Sequence, residues 1–282
     1  RSRSQRSPVR PSRARARPAE AHSALRARAA CASIARMTQV EIPTRDGSCP
    51  TYVFRPSGNG PFPAVLVYMD GIGIRPAMLA IGERLAQNGY FVVLPDLYYR
   101  AGPYAPMDAK RVFTDPELRK QLTEKFFKHA SQANFMSDTR ALLDYLAAQA
   151  DVQPGPIGTT GCCMGGLMSL TAAGTFTDRI AAAASFHGGR LATDAPESPH
   201  LLAPKMRARV YVAGAIEDAM FPDAMKQRLT DALQQAGVAH TVETYPAKHG
   251  WVLSDTSVYD EQAAERHWQN LLALFEQTLK TR

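Results

Sequence analysis

The stretch Thr159-Thr-Gly-Cys-Cys-Met-Gly-Gly-Leu-Met168 places a sulfur atom at the apex of a glycine-flanked turn. β-branched and small residues lead up to Gly161, and a helix-forming run begins at Met164, so the pattern predicts a buried strand, a sharp turn and a helix. Glycines on both sides let neighbouring backbone approach closely, and the helix N-terminus favours negative charge. Cys163 is therefore a candidate nucleophile, provided that an acid and a base follow it in the right order.

From Met37 onwards, short apolar runs alternate with helix-length segments. This alternation predicts βαβ units and an α/β fold with a mostly parallel central sheet and helices on both faces. No repeat or linker divides residues 37–282, so we expect one domain. The predicted strands cover residues 51–54, 64–69, 91–95, 156–161, 180–186, 208–213 and 240–245, and the predicted helices cover 77–88, 138–149, 164–173, 222–235 and 259–279, with a polar helix over 108–129 outside the core.

The positive charge of the chain is concentrated in residues 1–36. Ten arginines stand there against one acid, Glu20, so that the +7 of the whole chain leaves −2 for residues 37–282. This Arg/Ser/Ala/Pro-rich segment has few large apolar residues, and we expect it to be disordered. An organelle transit peptide and a nucleic-acid-binding arm remain alternatives, but we favour sequence upstream of a true start at Met37. We expect no nucleic acid to bind the folded domain.

Cysteine usage and hydropathy indicate the class of protein. The four cysteines are too few for a secreted disulfide framework, and their spacing does not predict a zinc site. No run of about 18 apolar residues occurs, so we expect no membrane span. These features favour a cytoplasmic protein, or an organellar one if the leader is a transit peptide, that is a monomer or small homo-oligomer without a metal.

Candidate partners of Cys163 follow two later strands. Asp218 comes after the predicted strand 208–213, and His249 comes after 240–245. The carboxyl ends of parallel strands meet at one edge of a sheet, so the three side chains are expected to converge. Nucleophile, acid and base occur in the order of a catalytic triad in which His249 moves the proton and Asp218 orients the imidazole. Glu217 is the alternative acid.

Several residues are expected to surround the nucleophile. The backbone N–H groups of Met164 and Gly71 are candidate oxyanion donors, because one follows the nucleophile and the other lies after the strand 64–69. His187 follows another strand, and pocket lining and core packing are equally open for it. Trp251, two residues after the candidate base, is also expected near the site.

These residues together resemble the dienelactone hydrolase family of α/β-hydrolases. The resemblance covers residues 37–282 and rests on Glu41-Ile-Pro, Leu94-Pro-Asp-Leu-Tyr-Tyr-Arg100, the Gly161–Gly166 turn, Asp218 with Pro222, and His249-Gly250. It implies an α/β-hydrolase fold and a carboxymethylenebutenolidase-like Cys-His-Asp enzyme acting on esters or lactones without a cofactor.

The resemblance also implies substrate contacts. Asp70 matches an acidic residue that contacts the resting cysteine in the family, although the family usually has Glu. Arg100, next to Tyr98, matches an arginine that binds the substrate carboxylate; the alternative for Arg100 is a surface ion pair. The family's second arginine is missing, because Leu253 stands in that stretch.

The sulfur atom itself narrows the expected substrates. After attack on an alkyl ester, thiolate leaves more easily than alkoxide, so the chemistry favours small-molecule esters with stabilised leaving groups, such as enol-lactones, aryl esters and thioesters. Two alternatives remain open: a thioesterase or acyltransferase using the same turn, and a binding protein that retains the fold without catalysis.

Overall fold

Eight strands form one sheet in the computed structural model, which describes residues 36–280. The strand order is β1-β2-β4-β3-β5-β6-β7-β8; β1 pairs antiparallel with β2, β2 pairs antiparallel with β4, and all other pairs are parallel. The predictions for residues 1–35 lie outside the described residues. The strands are β1 Arg36–Thr44, β2 Gly47–Arg55, β3 Ala64–Tyr68, β4 Phe91–Pro95, β5 Ile157–Cys162, β6 Ile180–Phe186, β7 Arg209–Ala215 and β8 His240–Tyr245.

Helices cover both faces of the sheet, as the α/β pattern predicts. Neighbouring residues of β5 show this directly: Gly158 lies against Phe275 of the last helix, whereas Thr159 Oγ1 is 2.8 Å from Ser169 Oγ on the helix that follows β5. Successive side chains of a strand point to opposite faces, so these two helices lie on opposite sides. The helices are α1 Pro76–Gln87, α2 Pro116–Gln121, α3 Gln132–Ala147, α4 Met164–Thr175, α5 Asp223–Gln235 and α6 Glu261–Phe275.

The centre of the sheet forms the core. All residues of β3, β4, β5 and β6 are buried, which explains why these strands are almost continuously apolar or small. Six parallel strands also place the loops after β3, β5, β7 and β8 at the same edge of the sheet. No helix within residues 36–280 is long and apolar enough to cross a membrane.

Two parts of the fold differ from the sequence-based expectations. The sequence does not predict β1, because Ile42 is its one buried residue and the remainder lacks an apolar alternation. The expected helix over 108–129 is wrong in length: Asp115 caps a helix that begins at Pro116, and irregular helical turns follow from Leu122 to His129. A proline accepts the first turn of a helix but not its interior, so the helix cannot extend upstream.

The same segment also takes part in the core. Val112, Leu122 and Phe126 are at most 2% exposed, and the Phe126 ring packs on Tyr98 at 4.9 Å between centroids. The prediction that this segment lies outside the core is therefore wrong, because three apolar side chains among many polar ones are enough to anchor it.

Candidate active site

Cys163 lies at the turn between β5 and α4. Its backbone has φ 53° and ψ −118°, a combination that residues with a side chain rarely adopt. Strain of this kind persists where the surrounding structure fixes it, and it concentrates at functional sites. The Cys163 N–H donates to the carbonyl of Phe186 at 3.0 Å, which ties the turn to β6. The side chain is partly exposed at the carboxyl edge of the sheet.

Glycines make this turn sterically possible. A Cβ atom at Gly165 would lie 2.3 Å from the carbonyl oxygen of Tyr68, and one at Gly161 would lie 2.4 Å from the carbonyl carbon of Gly165. Real Cβ atoms do not approach so closely, so both positions require glycine. The first turn of α4 therefore rests directly on the end of β3, beside the loop that contains Gly71.

Asp218 and His249 meet at the same edge of the sheet. The His249 Nδ1–H donates to Asp218 Oδ2 at 2.8 Å, and the Met220 N–H donates to the other carboxylate oxygen at 2.9 Å. With Nδ1 held in this way, Nε2 is left to face the sulfur of Cys163. Glu217, the alternative acid, is exposed, and in the described part of the chain it forms no hydrogen bond with His249.

The charges of these groups are coupled. Burial lowers the pKa of His249, but the hydrogen bond with Asp218 and the interactions with Cys163, together with the charges of both, outweigh this effect and raise the pKa to about 10. Burial raises the pKa of Asp218, but the hydrogen bond and charge of His249, together with the Met220 N–H and the charge of Lys226, outweigh burial and lower the pKa below its usual value. His249 is therefore positively charged at neutral pH, beside Cys163.

Two backbone N–H groups are candidates for binding a negatively charged carbonyl oxygen. Met164 is the first residue of α4, so its N–H has no acceptor within the helix. The N–H of Gly71 has no hydrogen bond within residues 36–280, while the Gly71 carbonyl accepts one from the Tyr98 hydroxyl at 2.8 Å. The same hydroxyl is 3.9 Å from the sulfur of Met164. Tyr98 thus links Gly71 to Met164, the residue that follows Cys163.

Cys162 differs sharply from its neighbour. It is the last residue of β5, and it is 2% exposed. Burial raises the pKa of its thiol well above the usual value, so it stays protonated and unreactive. Both cysteines are free thiols. The first cysteine of the pair packs in the core, and the second is the accessible one.

His187 and Trp251 pack behind the candidate base. The His187 ring lies 4.9 Å from the ring of His249 and 4.9 Å from that of Trp251, both in edge-to-face contact. Trp251 in turn stacks on Tyr245 at 5.2 Å. Burial lowers the pKa of His187 well below the usual value, so it is a neutral ring. Both side chains are buried, so they support His249 rather than face an incoming substrate.

Asp70 does not contact the nucleophile as the resemblance implies. Its carboxylate accepts hydrogen bonds from Arg75 at 2.7 and 2.9 Å and from the Ile72 N–H at 2.9 Å. Arg75 also donates to Asp255 at 2.7 and 3.3 Å. The expectation fails because Arg75, which no sequence pattern singles out, takes both oxygens of this carboxylate.

Arg100 is likewise engaged away from the sulfur. Its guanidinium donates to Asp138 at 2.7 and 2.8 Å and to Asp46 at 2.7 and 2.9 Å. The Asp138 side chain is fully buried and Arg100 is 8% exposed, so this is an internal ion pair rather than a surface one. The expected contact with a substrate carboxylate is not supported, because the guanidinium already binds two carboxylates.

A groove of about 440 Å³ begins beside Met164, directly after Cys163. Met164 and Leu167 form its apolar side, and Arg190 and Ser198 are among its polar lining residues. Phe127, which is 42% exposed, lies against Gly71 at the site. Among residues 36–280, no group of three or more His, Cys, Asp or Glu side chains is arranged to hold a metal ion.

Comparison with known proteins identifies the family of the chain. The model of the dienelactone hydrolase family matches residues 49–279. A Synechocystis protein assigned as a carboxymethylenebutenolidase is 28% identical over 256 residues, which cover 87% of this chain and 98% of that protein. A protein from Escherichia coli K12 with the same assignment is 28% identical over 245 residues, which cover 84% and 85% of the two chains.

Solved structures show the same architecture. The crystal structure of a Klebsiella pneumoniae protein assigned as a dienelactone hydrolase superposes with a TM-score of 0.75 at 25% identity, covering 86% of this chain and 99% of that one. The family match spans most of the chain and includes Cys163, Asp218 and His249. The chain therefore belongs to the dienelactone hydrolase family and has the α/β-hydrolase fold.

Proposed function

We propose that this protein hydrolyses activated carboxylic esters or enol-lactones, with Cys163 as nucleophile, His249 as proton carrier and Asp218 as the residue that orients the imidazole. The observation that carries the proposal is the relay from Asp218 through His249 to the sulfur at a strained turn. Membership of the dienelactone hydrolase family supports the reaction class, hydrolysis of a carboxylic ester or lactone.

The first half-reaction forms a thioester. The thiolate of Cys163 attacks the carbonyl carbon, and the carbonyl oxygen becomes negative between the N–H groups of Met164 and Gly71. When the carbonyl re-forms, the bond to the leaving oxygen breaks, and that oxygen takes the proton of His249. The acyl group is then attached to sulfur, and the imidazole is neutral.

The second half-reaction restores the enzyme. Neutral His249 accepts a proton from water while the water oxygen attacks the thioester carbonyl. The carbon–sulfur bond then breaks, the carboxylic acid leaves, and the thiolate–imidazolium pair returns. Asp218 favours the protonated imidazole at both stages, consistent with the raised pKa of His249.

Sulfur favours esters whose leaving group is already stable. A thiolate is a better leaving group than an alkoxide, so an intermediate formed from an alkyl ester returns to starting materials. An enolate or aryloxide competes successfully with sulfur. The groove beside Met164 offers room for part of a bound ester, and the exposed ring of Phe127, which lies against Gly71, offers an apolar contact.

The test is a substrate panel on one protein. We expect aryl acetates and enol-lactones to be hydrolysed faster than ethyl or butyl acetate, and Cys163→Ser to narrow that difference, because an alkoxide nucleophile expels alkoxides readily. Cys162→Ala is the matched control and is expected to keep the order of the wild type. Faster turnover of alkyl than of aryl esters by the wild type would refute the proposal.

Product analysis distinguishes hydrolysis from transfer. With an aryl ester and added methanol, the proposal predicts free acid as the main product. If methyl ester predominates, the acyl-enzyme chemistry stands, but the enzyme is an acyltransferase.

A further inference from the structure

A buried arginine joins the two loops that carry the candidate oxyanion donor and the candidate base. The Arg75 side chain is 2% exposed and lies just before α1. It donates hydrogen bonds to both oxygens of Asp70 and both oxygens of Asp255, and a further one to the carbonyl of Gly73 at 3.1 Å. We call Arg75 with Asp70 and Asp255 the Arg75 bridge.

The two carboxylates belong to functional loops. Asp70 directly precedes Gly71, whose N–H is the oxyanion donor of the proposed function. Asp255 follows His249 by six residues in the loop between β8 and α6. The Ile72 N–H also donates to Asp70, so the carboxylate is held on the same turn as Gly71. Arg75 therefore fixes the position of one loop relative to the other.

The chemistry of the bridge suits positioning. A planar guanidinium holds two carboxylates in a fixed geometry, which the single point charge of a lysine cannot do. Charges taken out of water gain little net stability from pairing, so a bridge this deeply buried is poorly explained by stability alone. An N–H that stabilises a developing oxyanion, by contrast, is sensitive to its distance from that oxygen.

We propose that Arg75 is a positioning residue, which acts through Asp70 and Asp255 to hold the Gly71 N–H where the carbonyl oxygen of the ester becomes negative. This inference rests on the proposed function. It concerns the Gly71 N–H that would stabilise the negative oxygen and not the thiol of Cys163. An effect on oxyanion stabilisation can therefore be measured separately from an effect on thiol reactivity.

The test compares two reactions of the same sulfur. Acylation of Cys163 by p-nitrophenyl acetate creates an oxyanion and needs the N–H donors. Alkylation by iodoacetamide displaces iodide directly, with no oxyanion, and reports the reactivity of the thiolate. Arg75→Lys keeps the positive charge but loses the two-carboxylate geometry. We expect its acylation rate to fall about 10- to 100-fold, with alkylation within about twofold of the wild type.

Two further variants complete the design. Arg84→Lys, on the helix α1 that follows Arg75, alters an exposed ion pair with Glu265 and is expected to leave both rates unchanged. Asp255→Asn weakens the link between the loops while the buried pair of Arg75 and Asp70 remains, and is expected to lower kcat with little change in KM. If Arg75→Lys does not fold, Asp255→Asn decides the matter.

The outcomes separate the two hypotheses. A parallel fall of acylation and alkylation in the folded variants, or no change in either rate, overturns the positioning role. A wild-type protein that is alkylated at Cys163 but acylated by no activated ester overturns the proposed function, and the role of Arg75 with it. If the wild type is acylated normally and Arg75→Lys is acylated at the same rate, the inference about Arg75 is overturned and the proposed function stands.

Discussion

Adding one methyl group at Gly165 is predicted to disable the site without removing any catalytic atom. The new Cβ would stand 2.3 Å from the carbonyl oxygen of Tyr68, and ordinary contact starts at 3.4 Å, so α4 must move by about 1 Å. This helix begins directly after Cys163 and supplies the Met164 N–H, so both shift together. A displacement of that size costs about 10²-fold in rate, or about 2.7 kcal/mol of activation free energy.

The assay is release of p-nitrophenolate by Gly165→Ala, with urea unfolding measured on the same samples. Gly174→Ala is the matched control, because its Cβ would meet the Leu202 side chain at 2.4 Å at the far end of the same helix. Each substitution is expected to cost about 1–3 kcal/mol of stability by overpacking. Only Gly165→Ala is expected to lose activity, and a rate within about threefold of the wild type would refute the reasoning.

Three further predictions follow from the site. Asp218→Asn is expected to lower kcat about 10⁴-fold by favouring the wrong tautomer, whereas Glu217→Gln leaves kcat unchanged; equal losses in the two variants would contradict the assignment. The raised pKa of His249 stabilises the folded protein fully below pH 6.5, and this stabilisation is lost as the pH rises through about 10. In urea unfolding, the difference in unfolding free energy between wild type and His249→Gln is therefore expected to shrink over that range, and a difference that grows would contradict this prediction. Arg100→Met is expected to cost about 3–5 kcal/mol of stability by leaving Asp138 buried without its cation, and a raised KM for anionic esters in place of that loss would restore a substrate role.

The meeting of Asp218 and His249 at one edge of the sheet could be predicted from the sequence, because it follows from the topology. Parallel strands end at one edge of the sheet, so residues placed just after strands converge even when they are far apart in the chain. The glycine spacing around Cys163 similarly encodes a close approach of backbone that no other residue permits. For these features, the local sequence pattern by itself determines the three-dimensional contact.

The buried ion pairs could not be predicted from the sequence in this way. Arg75 and Asp255 are 180 positions apart, and neither is marked by periodicity, capping or a motif. The family resemblance favours Arg100 as a ligand of the substrate carboxylate, whereas in the folded protein Arg100 pairs with Asp138. Which carboxylate a buried arginine meets depends on the packing of elements that are distant in sequence, and the sequence pattern carries no record of it.

Trapping the acyl-enzyme tests the central claim most directly. The protein is mixed with excess p-nitrophenyl acetate, quenched in acid and digested, and the acetylated peptide is sequenced by mass spectrometry. We expect one acetyl group on Cys163, which forms in Cys162→Ala and is lost in Cys163→Ala. Acetylation that persists in Cys163→Ala, or hydrolysis by that variant at the wild-type rate, would contradict it.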